Sequence, residues 1–351
     1  MTESQRRYDI DWIRVIAIGL LVVYHSAICF QPWGRMIGFI TTDESWVALW
    51  TPMVMLNVWR IPLLFFVSGM GVYFALQNKT WKQLIAERTL RILVPFIFGM
   101  FCIVPIHIYI WQSYYSLEQV YTPDTGHLWF LGNIFIYVLI FAPLFLYLKK
   151  NENGKTIIRL KKTMSSSLSL LPFVGAFVVE ALIIRPIPYE LYAMTKHGFF
   201  LGLLAFFAGF FIVFSGEEFW KMVTKWRWLF FSVAVVLFLW RVGGQWNIQS
   251  ATYLIPIESC CWIFSILSFG HLYLNYPSKT LSYLSGAAYP VYILHMIFLF
   301  LGGTLFFSLS ISIEVRYILC ITFTLFGSLI TYEIIKRIKI FRFLFGMKYK
   351  T

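Results

Sequence analysis

Arg14 and His25 stand eleven residues apart in an otherwise apolar run. Eleven steps of about 100° make three full turns plus about 20°, so in an α-helix both side chains fall on one stripe, about 16 Å apart along the axis. One helix would then offer a guanidinium at one level and an imidazole about half a bilayer deeper. An imidazole can take a proton from a hydroxyl near neutral pH, work that neither Ser nor Thr can do. Asp11, three residues before Arg14, is placed to pair with that guanidinium and fix its orientation. Arg88 and Arg91 form a second constellation: three residues apart on one helical face, they make a fork suited to phosphate oxygens.

Each of these features also has a plain explanation. Arg14 sits where a snorkelling flank residue would sit, and a midplane His often makes a helix–helix hydrogen bond. Two arginines at one membrane level are what charge bias alone produces. In Phe65-Phe66-Val67-Ser68-Gly69 the small Ser and Gly permit close helix approach. Convergence favours chemistry: an ionisable side chain at the bilayer midplane costs at least about 2.5–3.5 kcal/mol, and here the charged and titratable groups share a stripe and a membrane level.

A third group is spread along the chain. His127, Glu180, Arg185, Lys196, His197, Arg241 and Glu258 fall near the ends of apolar runs, with Trp129, Trp240 and Trp246 nearby. A mixed-sign cluster with aromatics suits a vestibule for a polar acceptor such as a sugar, although interfacial belts also collect Trp. His295, in Tyr289-Pro-Val-Tyr-Ile-Leu-His295, falls in the middle of another run and is grouped with this acceptor side. A packing hydrogen bond is its plain alternative.

The elements that must position these residues follow from composition. Of 351 residues, 59% are hydrophobic and 20% aromatic, and only 13% are charged, which leaves too little polar surface to coat a soluble enzyme. The same numbers exclude disorder. An all-α polytopic membrane bundle remains, with about ten spans expected at 11–30, 54–77, 90–110, 127–148, 166–185, 197–215, 227–242, 252–274, 283–307 and 315–336. The seventh is short enough to tilt or be part-buried. One membrane domain covering 1–351, with no separate soluble domain, is the expected organisation. The first run lacks a small-x-small cleavage site and reads as an uncleaved span. Cys29, Cys102, Cys260, Cys261 and Cys320 all lie in apolar runs at no metal-ligand spacing and read as buried small side chains, so no metal site is expected.

With the N-terminus in the cytoplasm, 23 of the 29 Lys and Arg residues fall on the inner side. That bias puts both termini in the cytoplasm. It also accounts for the +13 net charge through topology and attraction to anionic lipid, without nucleic acid.

These motifs together resemble acyltransferase family 3, membrane acyltransferases that modify surface glycans, antibiotics and lipids. The likeness covers essentially the whole chain: Arg-x10-His at Arg14 to His25, Phe-Phe-x-Ser-Gly at Phe65 to Gly69, Arg-x-x-Arg at Arg88 to Arg91, and Tyr-Pro-x-Tyr-x-x-His at Tyr289 to His295. The opening Tyr8-Asp-Ile-Asp-Trp-Ile-Arg14 is similar to the branch containing glucan-biosynthesis membrane proteins, which add succinyl groups to periplasmic glucans. The resemblance implies a multi-pass enzyme of the bacterial inner membrane that transfers acyl rather than aminoacyl groups. Acetyl-CoA or succinyl-CoA would be donor substrate rather than resident cofactor, and the acceptor a glycan or glycolipid hydroxyl. Arg88, Arg91 and Arg14 would hold the CoA phosphates while the pantetheine reaches toward His25. His25 would act as general base or would itself carry the acyl group, and Ser68 would hydrogen-bond near the thioester. Some relatives carry a fused hydrolase-like domain that completes the transfer; without one, transfer would finish in the bundle or with a separate partner.

Two other classes fit the intramembrane charges. A glycolipid or polysaccharide transporter would line its path with them, and inverted repeats would favour it, but no internal similarity is evident. An enzyme using a polyprenyl-phosphate donor would want a carboxylate or a basic cluster facing the outer side or the midplane, whereas the fork is on the inner side.

Overall fold

The computed structural model describes residues 6–77, 79–244 and 248–347. Trp246, Lys348 and Lys350, used in the sequence reading, lie outside the described residues. Among the described residues there is no strand, and nine helices are long and apolar enough to cross a bilayer. They are Tyr8–Ile28, Val47–Leu76, Trp81–Tyr114, Gly126–Lys150, Ser167–Ile184, Lys196–Ser215, Tyr253–Tyr273, Lys279–Phe306 and Ile313–Ile335.

The expected seventh span is the exception. Arg227–Val242 has 16 residues, about 24 Å of helix against about 30 Å of hydrocarbon. It follows Glu217–Lys225 across a 55° bend, and the pair counted as one span brings the total to ten. Glu217–Lys225 buries Phe219, Trp220, Met222 and Val223 and exposes the Glu218–Lys221 ion pair, the two-faced pattern of a helix lying in an interface.

Trp81–Tyr114 runs well beyond the expected 90–110 and contains two π-helical turns, Thr89–Leu93 and Gly99–Ile103. Each ends two residues before a proline, Pro95 or Pro105. A proline has no N–H for the carbonyl four residues back and its ring crowds that carbonyl, so the helix widens locally. The carbonyl freed by Pro105 is that of Phe101, and it accepts a hydrogen bond from the Tyr121 hydroxyl at 2.8 Å.

Packing divides the chain into two units. The first comprises Met1–Ala17, Asn57–Ala86 and Asn133–Leu281. In it, a Cβ on Gly69 would overlap the Phe206 carbonyl oxygen and one on Gly209 that of Phe66, so backbone meets backbone as the Ser-Gly pattern predicts. Phe145 stacks flat on Phe210 at 3.5 Å. At the foot of the first helix Arg7 binds Asp9 at 2.6 Å and His271 at 3.0 Å and lies 4.1 Å from the Trp220 ring.

The second unit comprises Ile18–Leu56, Glu87–Gly132 and Ser282–Thr351. Here the short helix Lys339–Leu344 packs on the Pro95 turn. Gly346, at φ 61°, fits where a Cβ would stand 2.6 Å from the Arg91 carbonyl oxygen. Arg35 covers the Tyr115 ring, and the Tyr115 hydroxyl bonds the Phe39 carbonyl.

Candidate active site

The first helix runs unbroken from Tyr8 to Ile28 and carries both Arg14 and His25. The expected Asp11 pairing is present but long, at 3.4 Å, because Asp11 is held more closely by Arg6 at 2.8 Å.

Around His25 the second unit assembles a cluster of four histidines. His25 Nδ1 is 2.8 Å from Nε2 of His295, and the two rings lie 5.1 Å apart and 18° from parallel. His295 is fully buried, with Nδ1 2.7 Å from the Tyr292 carbonyl oxygen three residues earlier in its helix. His127 stands edge-on to His295 at 4.9 Å, with Nε2 3.1 Å from the Ile293 carbonyl oxygen, and its own carbonyl accepts the Tyr292 hydroxyl. His107 completes the group, 5.5 Å from the His127 ring.

Local sequence explains the convergence. Pro105 and its π turn set the helix that carries His107. Gly126 takes φ +46°, and a Cβ there would stand 3.1 Å from Val104 and 3.6 Å from His107, so a glycine lets the next helix start beside the first. Phe39 lies edge-on to His25 and Phe300 to His107, which surrounds the imidazoles with ring edges. In such low-dielectric surroundings their hydrogen bonds strengthen. His107 Nδ1 and His127 Nδ1 are buried without a hydrogen-bond partner. Among the described residues no three His, Cys, Asp or Glu side chains are arranged to hold a metal ion.

The other sequence candidates fall as follows. Arg91 pairs with Glu87 at 3.1 Å, a carboxylate absent from the fork reading, and Arg91 stands inside the π turn that begins after Arg88. The Ser68 hydroxyl donates to the Leu64 carbonyl of its own helix at 2.7 Å. The acceptor-side list divides. His127 and His295 belong to the histidine cluster. Glu180 meets His197 at 3.0 Å, and Arg241 holds the fully buried Glu258 through two bonds of 2.7 and 2.8 Å, with Glu190 at 3.5 Å. The Trp262 indole N–H also donates to Glu258. Arg185 and Lys196 are exposed. Cys102 is exposed too, in contrast to the burial expected of all five cysteines; it lies in the second π turn.

Sequence reasoning passed over His107, since one His in an apolar run carries no spacing signal of its own. Its nearest hint was Pro105, a marker of helix irregularity two residues away.

A family described as "Acyltransferase domain" matches residues 7–333. Among curated proteins, those named glucans biosynthesis protein C from Salmonella heidelberg, Salmonella agona and Salmonella gallinarum are each 24% identical, covering 98% of this chain and 96% of the relative. No solved structure matches.

Proposed function

The chain belongs to this family, acyltransferase family 3, and we propose that it carries an acyl group from cytoplasmic acyl-CoA to a hydroxyl of an extracytoplasmic glycan or glycolipid, with His25 as general base. It is a multi-pass membrane acyltransferase; the bacterial inner membrane, cytoplasmic termini and an acetyl or succinyl group complete the reading.

The observation that carries this reading is the hydrogen bond between half-buried His25 and fully buried His295 inside the histidine cluster. An imidazole oriented by a neighbouring ring in this way supports the reading of His25 as the group that takes the acceptor hydroxyl's proton. The hydroxyl oxygen bonds to the acyl carbon, the carbon–sulfur bond breaks, and the proton taken by His25 passes to the sulfur. Acyl group, proton and electron pairs balance without a further reagent.

The donor assignment rests on Arg88 and Arg91, on the helix that also carries His107. Arg91 to His107 is sixteen residues, about 24 Å of rise, a distance for an extended pantetheine arm rather than for a nucleotide. Glu87 would have to yield Arg91 to the phosphates.

A ligand that binds only the folded state raises the unfolding midpoint by mass action. We expect free CoA, acetyl-CoA or succinyl-CoA at millimolar concentration to raise the midpoint of the detergent-purified protein, and the rise to disappear with Arg88→Ala plus Arg91→Ala. No rise with any CoA species would defeat the donor assignment and direct the search to lipid-linked sugars.

A further inference from the structure

The hydrogen bonds around His25 fix more than its position. A carbonyl oxygen only accepts, so the 2.7 Å contact from His295 Nδ1 to the Tyr292 carbonyl puts a hydrogen on that nitrogen. In a neutral imidazole the other nitrogen, Nε2, then carries a lone pair and accepts. His25 Nδ1, 2.8 Å from it, must be the donor. His25 is thereby held as the Nδ1–H tautomer, with its own lone pair on Nε2.

We propose that His295 is a positioning residue that selects this tautomer and aims Nε2 of His25 at the acceptor hydroxyl. The inference rests on the reading of His25 as general base. When Nε2 takes the hydroxyl proton, the imidazolium keeps its Nδ1–H on His295, whose Nδ1–H stays on the Tyr292 carbonyl. His295 neither gains nor loses a proton. It stabilises the positive charge as an oriented acceptor, the part a buried carboxylate or carbonyl plays behind other catalytic histidines. His295 suits the task physically: its side chain is fully buried, and the carbonyl it uses is in its own helix, so the orienting chain is built from one rigid element.

His295→Gln keeps an acceptor oxygen near the position of Nε2, whereas His295→Leu keeps volume and removes the acceptor. In proteoliposomes given acyl-CoA and a glycan acceptor, His295→Leu should lower kcat on the order of 10²–10⁴-fold with little change in the acceptor KM. His295→Gln should recover at least tenfold of that loss. A side chain needed only for packing would show the reverse order. In native protein carrying ¹⁵N-histidine, the ring shifts of His25, assigned by their loss in His25→Ala, should report protonated Nδ1 and unprotonated Nε2. His295→Leu should turn that single state into a mixture. A native spectrum with His25 protonated on Nε2 would overturn the proposal even if both His295 variants fail to fold. So would an unchanged kcat in His295→Leu beside an inactive His25→Ala. Full transfer by a folded His25→Ala would instead remove the general-base reading beneath it.

Discussion

Arg241→Met should be among the most destabilising single substitutions in the first unit, and the reason lies in its partner. Glu258 is fully buried and is held by Arg241 through bonds of 2.7 and 2.8 Å, with Trp262 as third donor. Removing one partner of a buried ion pair strands the other and costs about 3–5 kcal/mol, a large share of the about 5–15 kcal/mol that holds a folded protein together. Removing both charges together is close to neutral, because the desolvation penalty disappears with the attraction. The Trp262 N–H would lose its acceptor, about 1–3 kcal/mol at most, so Arg241→Met plus Glu258→Met should regain a substantial part of the single variant's loss. Glu258→Met alone should cost less than Arg241→Met, since Glu190 remains 3.5 Å from the guanidinium. The assay is the unfolding midpoint of all four proteins in one detergent, read as a double-mutant cycle. A double variant that loses the sum of the single effects would refute the coupling. A stable double variant whose acceptor KM rises would return Arg241 and Glu258 to acceptor recognition.

Gly209→Ala forces a methyl group toward the Phe66 backbone, whose carbonyl carbon and Cα would stand 2.6 and 2.7 Å from it. Backbone cannot rotate away as a side chain can, so the cost should reach the upper part of the about 1–3 kcal/mol range for overpacking. Gly175→Ala, with nothing within 4 Å, should leave the melting midpoint unchanged or slightly raised; equal effects of the two would contradict the close approach. Arg88→Ala plus Arg91→Ala should raise the apparent KM for acyl-CoA more than it lowers kcat, and steady-state kinetics with an unchanged KM would remove both residues from donor binding.

Span positions were legible because hydrocarbon demands long apolar runs, and the family was legible because Arg14, His25, Ser68, Arg88, Arg91 and His295 keep order and spacing within such runs. The bend before Arg227 was less so. Arg227–Val242 reads as a complete run, yet 16 residues are too few, and only the two-faced pattern of Glu217–Lys225 shows how the chain makes up the length. Pro95 and Pro105 each break a backbone hydrogen bond, but a proline alone does not show that the break takes the form of a π turn, or that Cys102 in the second turn is exposed. Least legible was the meeting of His25, His107, His127 and His295. Spacing places residues along one helix and says nothing about which helices become neighbours. Periodicity therefore put Arg14 and His25 on one stripe but could not place His295, 270 residues away in sequence, on His25 Nδ1. Ser68 was ambiguous for a different reason. A small hydroxyl beside a glycine fits packing and chemistry equally, and only the bond to Leu64 and the approach of Gly69 to Phe206 show what the pair does in the fold.

The central claim is that His25 moves the proton during acyl transfer. Its most direct test is transfer by His25→Ala in proteoliposomes given acyl-CoA on one side and a glycan acceptor on the other, with the CoA-induced midpoint rise measured on the same preparation. The account predicts transfer at background, a loss on the order of 10²–10⁴-fold or more, beside an intact CoA response. Transfer within tenfold of the native rate by a variant that still folds and still binds CoA would contradict it.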